Sequence, residues 1–354
     1  MKIGIIGAGW YGLHTYCHLK KHHPDFTIKV FEKNDEIFKG SSLYNQNRLH
    51  LGYHYPRSHK TRELCLKGYT KFVRQYPSVI TPIPANTYAI ASQSLIDLET
   101  YKTIYDANPN FNHTYVDNTY LSNIDGDLII TNESFIDPVK ATKHFLSIIP
   151  DTDLKLGYEV RSITPSERTT SKVSLNNDIE CDLVLDCTNN QMGLTKEQYI
   201  YEVTLSLVYK KTAPCPFGAL TIMDGGFFSI FPRNMERSLY TVTHVEHTPL
   251  SKSRCLAAIQ AYEVNKAEIT SRITKIEDQV SKIYPDFRRN FAYVDYFLSY
   301  KCKKVVGNES RECCVEQLDR IVSVNCGKIT GIYEFEKHVE TVINDLIQRS
   351  DDSR

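Results

Sequence analysis

The chain opens with apolar runs that alternate with a helical stretch. Lys2–Ile6 is a β-branched run of the kind that forms a buried parallel strand. Residues 10–23 carry helical spacing and end in Lys20, Lys21, His22 and His23, cations suited to a helix C-terminus, before Pro24 stops them. Thr27–Phe31 is a second strand, closing on Glu32. Farther on, Phe135-Ile136 leads to Asp137 as N-cap and Pro138 as first residue of a helix to about Ile149. Leu154–Val160 runs through Ile163 into a hairpin, and an apolar strand follows at 182–187. Alternation predicts antiparallel strands at Tyr201–Tyr209, Ala219–Met223, Phe227–Phe231 and Leu239–His244, with a turn at Asp224-Gly225-Gly226. Residues 251–282 read as helical, Phe291–Cys302 as a strand, and Ile321–Asn325 as a strand that enters Cys326–Gly331 and then a helix to about Gln348.

The first three elements form a β-α-β unit whose turn is Gly7-Ala8-Gly9-Trp10-Tyr11-Gly12. In such a turn Gly7 permits the bend, Gly9 lets a pyrophosphate approach the backbone, and Gly12 lets the helix sit on the strand. The helix start offers free N–H groups and the positive end of a dipole to phosphates. Glu32 lies 20 residues after Gly12, where an acid accepts ribose hydroxyls. These features predict dinucleotide binding. The block from Gly40 to Tyr55 has no regular periodicity and is rich in hydrogen-bonding side chains, which suits a long polar ligand.

On these residues the sequence resembles the D-amino-acid-oxidase-like superfamily of FAD-dependent oxidoreductases, closest to its L-2-hydroxyglutarate oxidase and glycerol-3-phosphate dehydrogenase branches. The matching stretches are Gly40-Ser41-Ser42, Asn45, His50-Leu51-Gly52-Tyr53-His54-Tyr55, Asp137-Pro138, Asp182–Thr188 and Gly327-Lys328-Ile329-Thr330. The resemblance implies FAD, held by Gly7, Gly9, Trp10, Tyr11, Gly12, Glu32 and Lys33. Ser41 and Ser42 would touch the pyrophosphate, the His50-Leu51-Gly52 segment would lie along the flavin ring, and Asn47, Arg48 and Leu49 would also bind the cofactor. Val160 would meet the adenine, and Cys187 and Thr188 would close over the cofactor. Gly327, Lys328, Ile329 and Thr330 would cap the flavin pyrimidine. It further implies an α/β fold with an α+β second domain: a Rossmann-like FAD-binding domain at 1–80, 130–195 and 300–354, and an inserted, mainly antiparallel-sheet substrate or cap domain at 81–129 and 196–299.

Composition narrows the partners. Lys plus Arg and Asp plus Glu are 42 each, so formal charge is zero, unlike the basic surplus of nucleic-acid binders. No apolar run reaches transmembrane length, and Ile3–Trp10 lacks the flanks of a signal peptide. The ten cysteines include no C-x-x-C pair and read as reduced thiols in a cytoplasmic protein, with the vicinal Cys313-Cys314 the one pair of redox interest. Cysteine, aspartate or further histidine partners for a zinc site are missing around His22-His23 and His244/His247, so no metal is expected.

A flavin carries the redox step, so the protein must position a C–H bond and handle a proton. The resemblance places His50 beside the flavin ring as first candidate, with His54 and His244 as alternatives. Arg48, Arg233 and Lys301 are cations that could clamp a carboxylate or phosphate, and a lysine such as Lys301 could assist oxygen chemistry. The expected activity is FAD-dependent oxidation of a C–H bond next to an amine or hydroxyl of a small polar substrate. A mutase-like flavoprotein acting on a sugar or nucleotide-sugar, or a non-catalytic dinucleotide-binding protein, are the alternatives. Oligomeric state has no sequence signal.

Overall fold

The computed structural model of the protein describes residues 1–165, 172–194, 198–305 and 313–352. A six-stranded sheet takes the order Cys314–Leu318, Ile321–Asn325, Leu183–Asp186, Lys2–Ile6, Thr27–Phe31, Leu154–Lys155. Its neighbours run parallel except for the antiparallel pair Cys314–Leu318 and Ile321–Asn325. Lys2–Ile6 lies near the middle, buried on both faces, which is why it reads as a continuous apolar run rather than an alternating one. The helix Trp10–His22 makes the first crossover and packs beside the C-terminal helix Ile332–Asp352. Asp137 caps the helix Pro138–Leu146 by accepting the Val139 and Lys140 N–H groups, as its sequence position predicts.

A second, nine-stranded mixed sheet has the order Pro249–Ser253, Tyr199–Lys211, Leu239–His244, Phe228–Asn234, Ala219–Met223, Asn86–Ile90, Leu128–Thr131, His113–Val116, with Phe291–Lys304 also paired to Tyr199–Lys211. Only Ala219–Met223 and Asn86–Ile90 pair in parallel. Leu128–Thr131 and Phe291–Lys304 are continuous strands that run across the 129/130 and 299/300 divisions expected from sequence. One face buries Leu220, Ile230 and Val242 against Ile276 and Val280 of the helix Lys266–Ile283. Along Phe228–Asn234 the alternate residues Ser229, Phe231 and Arg233 therefore occupy the opposite face. The α/β class with an antiparallel second sheet is borne out.

Residues 251–282 are not one helix. Pro249–Ser253 is a strand paired to Tyr201–Thr204, and helices follow at Leu256–Gln260 and Lys266–Ile283. Sheet pairing outweighs the weak helical spacing there, and the long helix starts where Asn265 accepts the Glu268 N–H. Two further helices, His59–Gln75 and Leu98–Asp106, lie outside the predicted elements. Among the described residues, no helix is long and apolar enough to cross a membrane.

Candidate active site

The glycine turn has the shape its spacing requires. Gly7 adopts φ +101°, and a Cβ on Gly12 would collide with the Gly7 carbonyl. A Cβ on Gly9 would stand 2.7 Å from Ser42 Oγ, and that hydroxyl accepts the Trp10 N–H at 3.0 Å. The first turn of the helix and the serine loop thus meet where a pyrophosphate would be held. The Trp10 indole is not available to a cofactor. It is buried among Phe38, Phe72, Tyr76 and Phe145, so Trp10 contributes only its backbone N–H here.

Glu32 is buried and organises the turn as well as ending the strand. Its Oε2 accepts the Ala8 N–H at 2.9 Å, and its Oε1 accepts the Asn34 backbone and side-chain N–H groups at 3.0 and 2.6 Å. An ionised carboxylate has about four acceptor positions, so capacity for a ribose hydroxyl remains. Lys33 is exposed beside it, and Ser41, also exposed, donates to the Tyr300 carbonyl at 3.1 Å. Val160 is buried with Ile6, Phe31 and Val173. The Cys187 N–H donates to the Ile6 carbonyl at 2.9 Å, and Thr188 Oγ1 donates to Asp186 Oδ1 at 2.6 Å. Asp186 is fully buried, and burial pushes its carboxyl pKa up.

The loop from Arg48 to Tyr55 hangs on a carboxylate that sequence reasoning missed. Arg48 and Leu49 pair with Phe135 and Ser134, which sets the preceding residue, Glu133, against the loop. Glu133 is 2% exposed. Its Oε1 accepts the Leu51 N–H at 2.7 Å and the Gly52 N–H at 3.3 Å, and its Oε2 accepts the Tyr88 hydroxyl. Arg48 Nη2 donates to that same Tyr88 oxygen at 2.8 Å and to Thr221 Oγ1 at 2.9 Å, with the guanidinium 4.6 Å above the Phe231 ring centroid. His50 is half-buried next to this network, Nδ1 lying 3.9 Å from Glu133 Oε1. The only sequence signal for Glu133 is an acid at a strand edge, which is common.

Three separated segments meet close to His50. Tyr11 donates its hydroxyl to the Lys328 carbonyl at 2.7 Å. The Lys328 ammonium bonds the Tyr55 hydroxyl and lies 3.8 Å from the Tyr55 ring centroid. Tyr55 and His54 each have ring centroids 5.8 Å from that of His50. The first helix, the histidine loop and the C-terminal turn are therefore one physical assembly.

Within that turn, the crowded glycine is not the expected one. Gly327 has no positive φ, and a Cβ on it meets nothing of the protein within 4 Å. Gly331 is the tight position, where a Cβ would collide with the Tyr11 hydroxyl. Ile329 packs on the main core and the Thr330 side chain is pressed against Gly68, so these two can offer a cofactor only their backbone. Ile329–Gly331 is a 3₁₀ turn that precedes the helix.

The remaining candidates are spread over the second sheet. Arg233 lies with its guanidinium 4.3 Å above the Phe297 ring centroid. Lys301 is exposed and stands in register with Glu202. His244 pairs with Phe228 and so belongs to the face toward the helix Lys266–Ile283, away from Arg48; burial pushes its pKa down to about 4. One of its ring nitrogens lies within 4.8 Å of a His247 ring nitrogen and of a carboxylate oxygen of Glu246, an acidic neighbour the sequence reading did not include.

Among the described residues, four buried nitrogen donors of Gln46, Asn47, Arg48 and Arg233 have no protein partner: Gln46 Nε2, Asn47 Nδ2, Arg48 Nε and Arg233 Nη1. Gln46 accepts the Ser229 hydroxyl at 2.9 Å, Arg48 reaches Thr221, and Thr221 pairs with Ser229, so Gln46 and Arg48 border one patch of the sheet, and Arg233 lies on the same face farther along the strand. Buried donors in native proteins are normally satisfied. A cofactor with phosphates and a polar ring, plus an oxygen-bearing substrate, fits this donor set and the Gly9 cradle.

Comparison with known proteins agrees with that fit. The NAD(P)-binding Rossmann-like domain family matches residues 5–63. The FAD-dependent monooxygenase FPY4 of Fusarium mangiferae is 32% identical over 347 residues, covering 97% of this chain and 91% of the relative. The FAD-dependent monooxygenase kojA of Aspergillus flavus is 24% identical over 381 residues, covering 99% and 87%. The FAD-bound L-α-glycerophosphate oxidase of Mycoplasma pneumoniae superposes with a TM-score of 0.73 at 15% identity, over 97% of this chain and 94% of that one, which shows a shared fold. The expected FAD oxidoreductase resemblance is borne out, and the non-catalytic alternative is set aside. With relatedness to FPY4 extending over nearly the whole of both chains, this protein belongs to the FAD-dependent monooxygenase/oxidoreductase family, with FAD as its cofactor.

Proposed function

We propose that the protein oxidises a C–H bond next to an amine or hydroxyl of a small polar substrate bearing acceptor oxygens. The observation that carries this reading is the set of unpartnered buried donors that Gln46, Arg48 and Arg233 place along one face of the second sheet, with His50 two residues from Arg48. Arg48 and Arg233 bind and orient the substrate oxygens, because a guanidinium offers directed N–H groups and keeps its charge. Imidazole of His50 takes the proton from the amine or hydroxyl as the carbon is oxidised. Glu133 orients the loop that carries His50, and Phe231 and Phe297 exclude water around the two guanidiniums. FAD, when bound, supplies the acceptor for the two electrons and the hydrogen. Ser42, Glu32 and the glycine turn hold its dinucleotide portion; the Lys328 turn supports its ring end.

The names of FPY4 and kojA favour a second reading, oxygen insertion by a reduced flavin. The two differ in the source of electrons. Anaerobic mixing of the purified holoprotein with amino acids, 2-hydroxy acids, glycerol phosphate and amino sugars tests this. Bleaching of the flavin by one of these alone supports the proposal. Bleaching only by NAD(P)H, followed by an oxygen-bearing product once O₂ is admitted, replaces it with the second reading.

A further inference from the structure

We propose that Cys326 and Cys313 form a thiol pair that hydrogen peroxide oxidises to a disulfide, with Cys326 the sulfur attacked first. Cys314–Leu318 and Ile321–Asn325 form an antiparallel pair in which Cys314 faces Asn325. One register step farther places Cys313 across from Cys326. Directly opposed residues of antiparallel strands have Cα atoms about 4.5–5.5 Å apart, inside the roughly 4.4–6.8 Å that a disulfide spans. Directly opposed residues project to the same side of an antiparallel pair, so both thiols fall on one face. The vicinal Cys314, the partner the sequence would suggest, projects to the opposite side of its strand from Cys313.

The surroundings of Cys326 favour its thiolate. Its sulfur is 2.5 Å from the point a Gly331 Cβ would take, in the same corner as the Tyr11 hydroxyl. Cys313 comes first in bringing the Cys326 pKa down against burial, and the Lys328 N–H and the Lys328 charge add to it. Cys313 shifts the opposite way, raised by Cys326 and by burial, and so keeps its proton. A thiolate beside a protonated thiol is the arrangement that peroxide chemistry needs.

The steps balance. The Cys326 thiolate attacks one oxygen of hydrogen peroxide, the O–O bond breaks, and the leaving hydroxide takes a proton to become water. This leaves a sulfenic acid on Cys326. The Cys313 sulfur then attacks Cys326 sulfur, the S–O bond breaks, and the departing hydroxide takes the Cys313 proton. Two thiols lose two electrons, and one peroxide becomes two waters. The inference needs only added peroxide and does not depend on which substrate the flavin oxidises.

Peptide mapping of the full-length holoprotein decides it. Graded hydrogen peroxide, followed by maleimide blocking and mass spectrometry, is expected to give a Cys313–Cys326 cross-linked peptide and to protect both residues from maleimide. Cys313→Ser is expected to stop at a Cys326 sulfenic acid that dimedone traps; Cys326→Ser is expected to leave Cys313 reduced. The wild-type map stands even if a variant folds poorly. Both cysteines staying open to maleimide at peroxide levels that oxidise other thiols, or a Cys313–Cys314 link in place of the cross-strand one, overturns the proposal.

Discussion

Glu133 Oε1 accepts the Leu51 N–H at 2.7 Å and stands 3.9 Å from His50 Nδ1, so one buried carboxylate both shapes the histidine loop and faces its imidazole. Glu133→Gln puts an amide NH₂ where one of the carboxylate oxygens accepts hydrogen bonds. The expected cost is about 1–3 kcal/mol of stability, from a buried donor left without its acceptor. Losing the negative charge also favours neutral imidazole, so the acid limb of the flavin-reduction pH profile should move to lower pH. Denaturant melts and the pH profile check the two effects separately. A destabilised variant with an unmoved profile would make Glu133 purely structural.

Arg48 bridges Tyr88 and Thr221 from one nitrogen and stacks on Phe231, a geometry that an ammonium cannot reproduce. Arg48→Lys is expected to keep the fold and lower kcat/KM for the substrate by tenfold or more, the equivalent of about 1.5–3 kcal/mol for a charge-assisted bond. Steady-state kinetics would show it, and an unchanged kcat/KM would remove Arg48 from the substrate site.

Glycine substitutions separate two kinds of turn. Gly12→Ala should destabilise the protein by about 1–3 kcal/mol and release FAD, because the new methyl collides with the Gly7 carbonyl. Gly327→Ala should leave the fold intact, since its methyl enters open space. Thermal melts with flavin counts on both variants provide the check; equal tolerance at the two positions would contradict the close approach at Gly12.

The seam between the first and last helices sets an acid limit. Glu336 accepts from His14 at 2.9 Å and lies 3.3 Å from His18, while His18 bonds Glu340 at 2.7 Å. Burial raises Glu336, but the bonds from His14 and His18 win and hold it well below the usual carboxylate range; Glu340 is lowered likewise by His23 and His18. Carboxylates depressed in the folded state stabilise it above their unfolded pKa, about 4.3, and lose that contribution as pH falls through the folded value. His18 is raised, against burial, by the same acids, and its contribution fades as pH rises above about 6.5; His14 is lowered by burial and acts in the opposite sense. The carboxylates therefore dominate the acid side. Glu336→Gln should lower stability at neutral pH and flatten its decline below about pH 4.3. Identical slopes in variant and wild type would exclude this seam from acid unfolding.

The parts legible in sequence were local. Gly7, Gly9, Gly12 and Glu32 announce a β-α-β unit because strand, turn and helix lie within one short stretch, and Asp137-Pro138 marks a helix start by position alone. The network around His50 was not legible, because Tyr88 and Thr221 come from distant strands and Glu133 from the turn before a third, which only sheet pairing brings together. Gly327 stood out over Gly331 by motif, although crowding is decided by Tyr11, at the other end of the chain. Trp10 sat inside a cofactor motif, yet the aromatic core beneath the helix claims its ring. Pro249–Ser253 carried helical spacing that pairing with Tyr201–Thr204 overrides.

The most direct test of the proposed function is rapid anaerobic mixing of a flavin-reducing substrate with wild-type protein and with His50→Ala. Full FAD content is expected in both, with flavin reduction about 10²–10⁴-fold slower in the variant, the range for loss of a general base. Equal reduction rates, with FAD retained, would contradict the role of His50 at the reacting carbon.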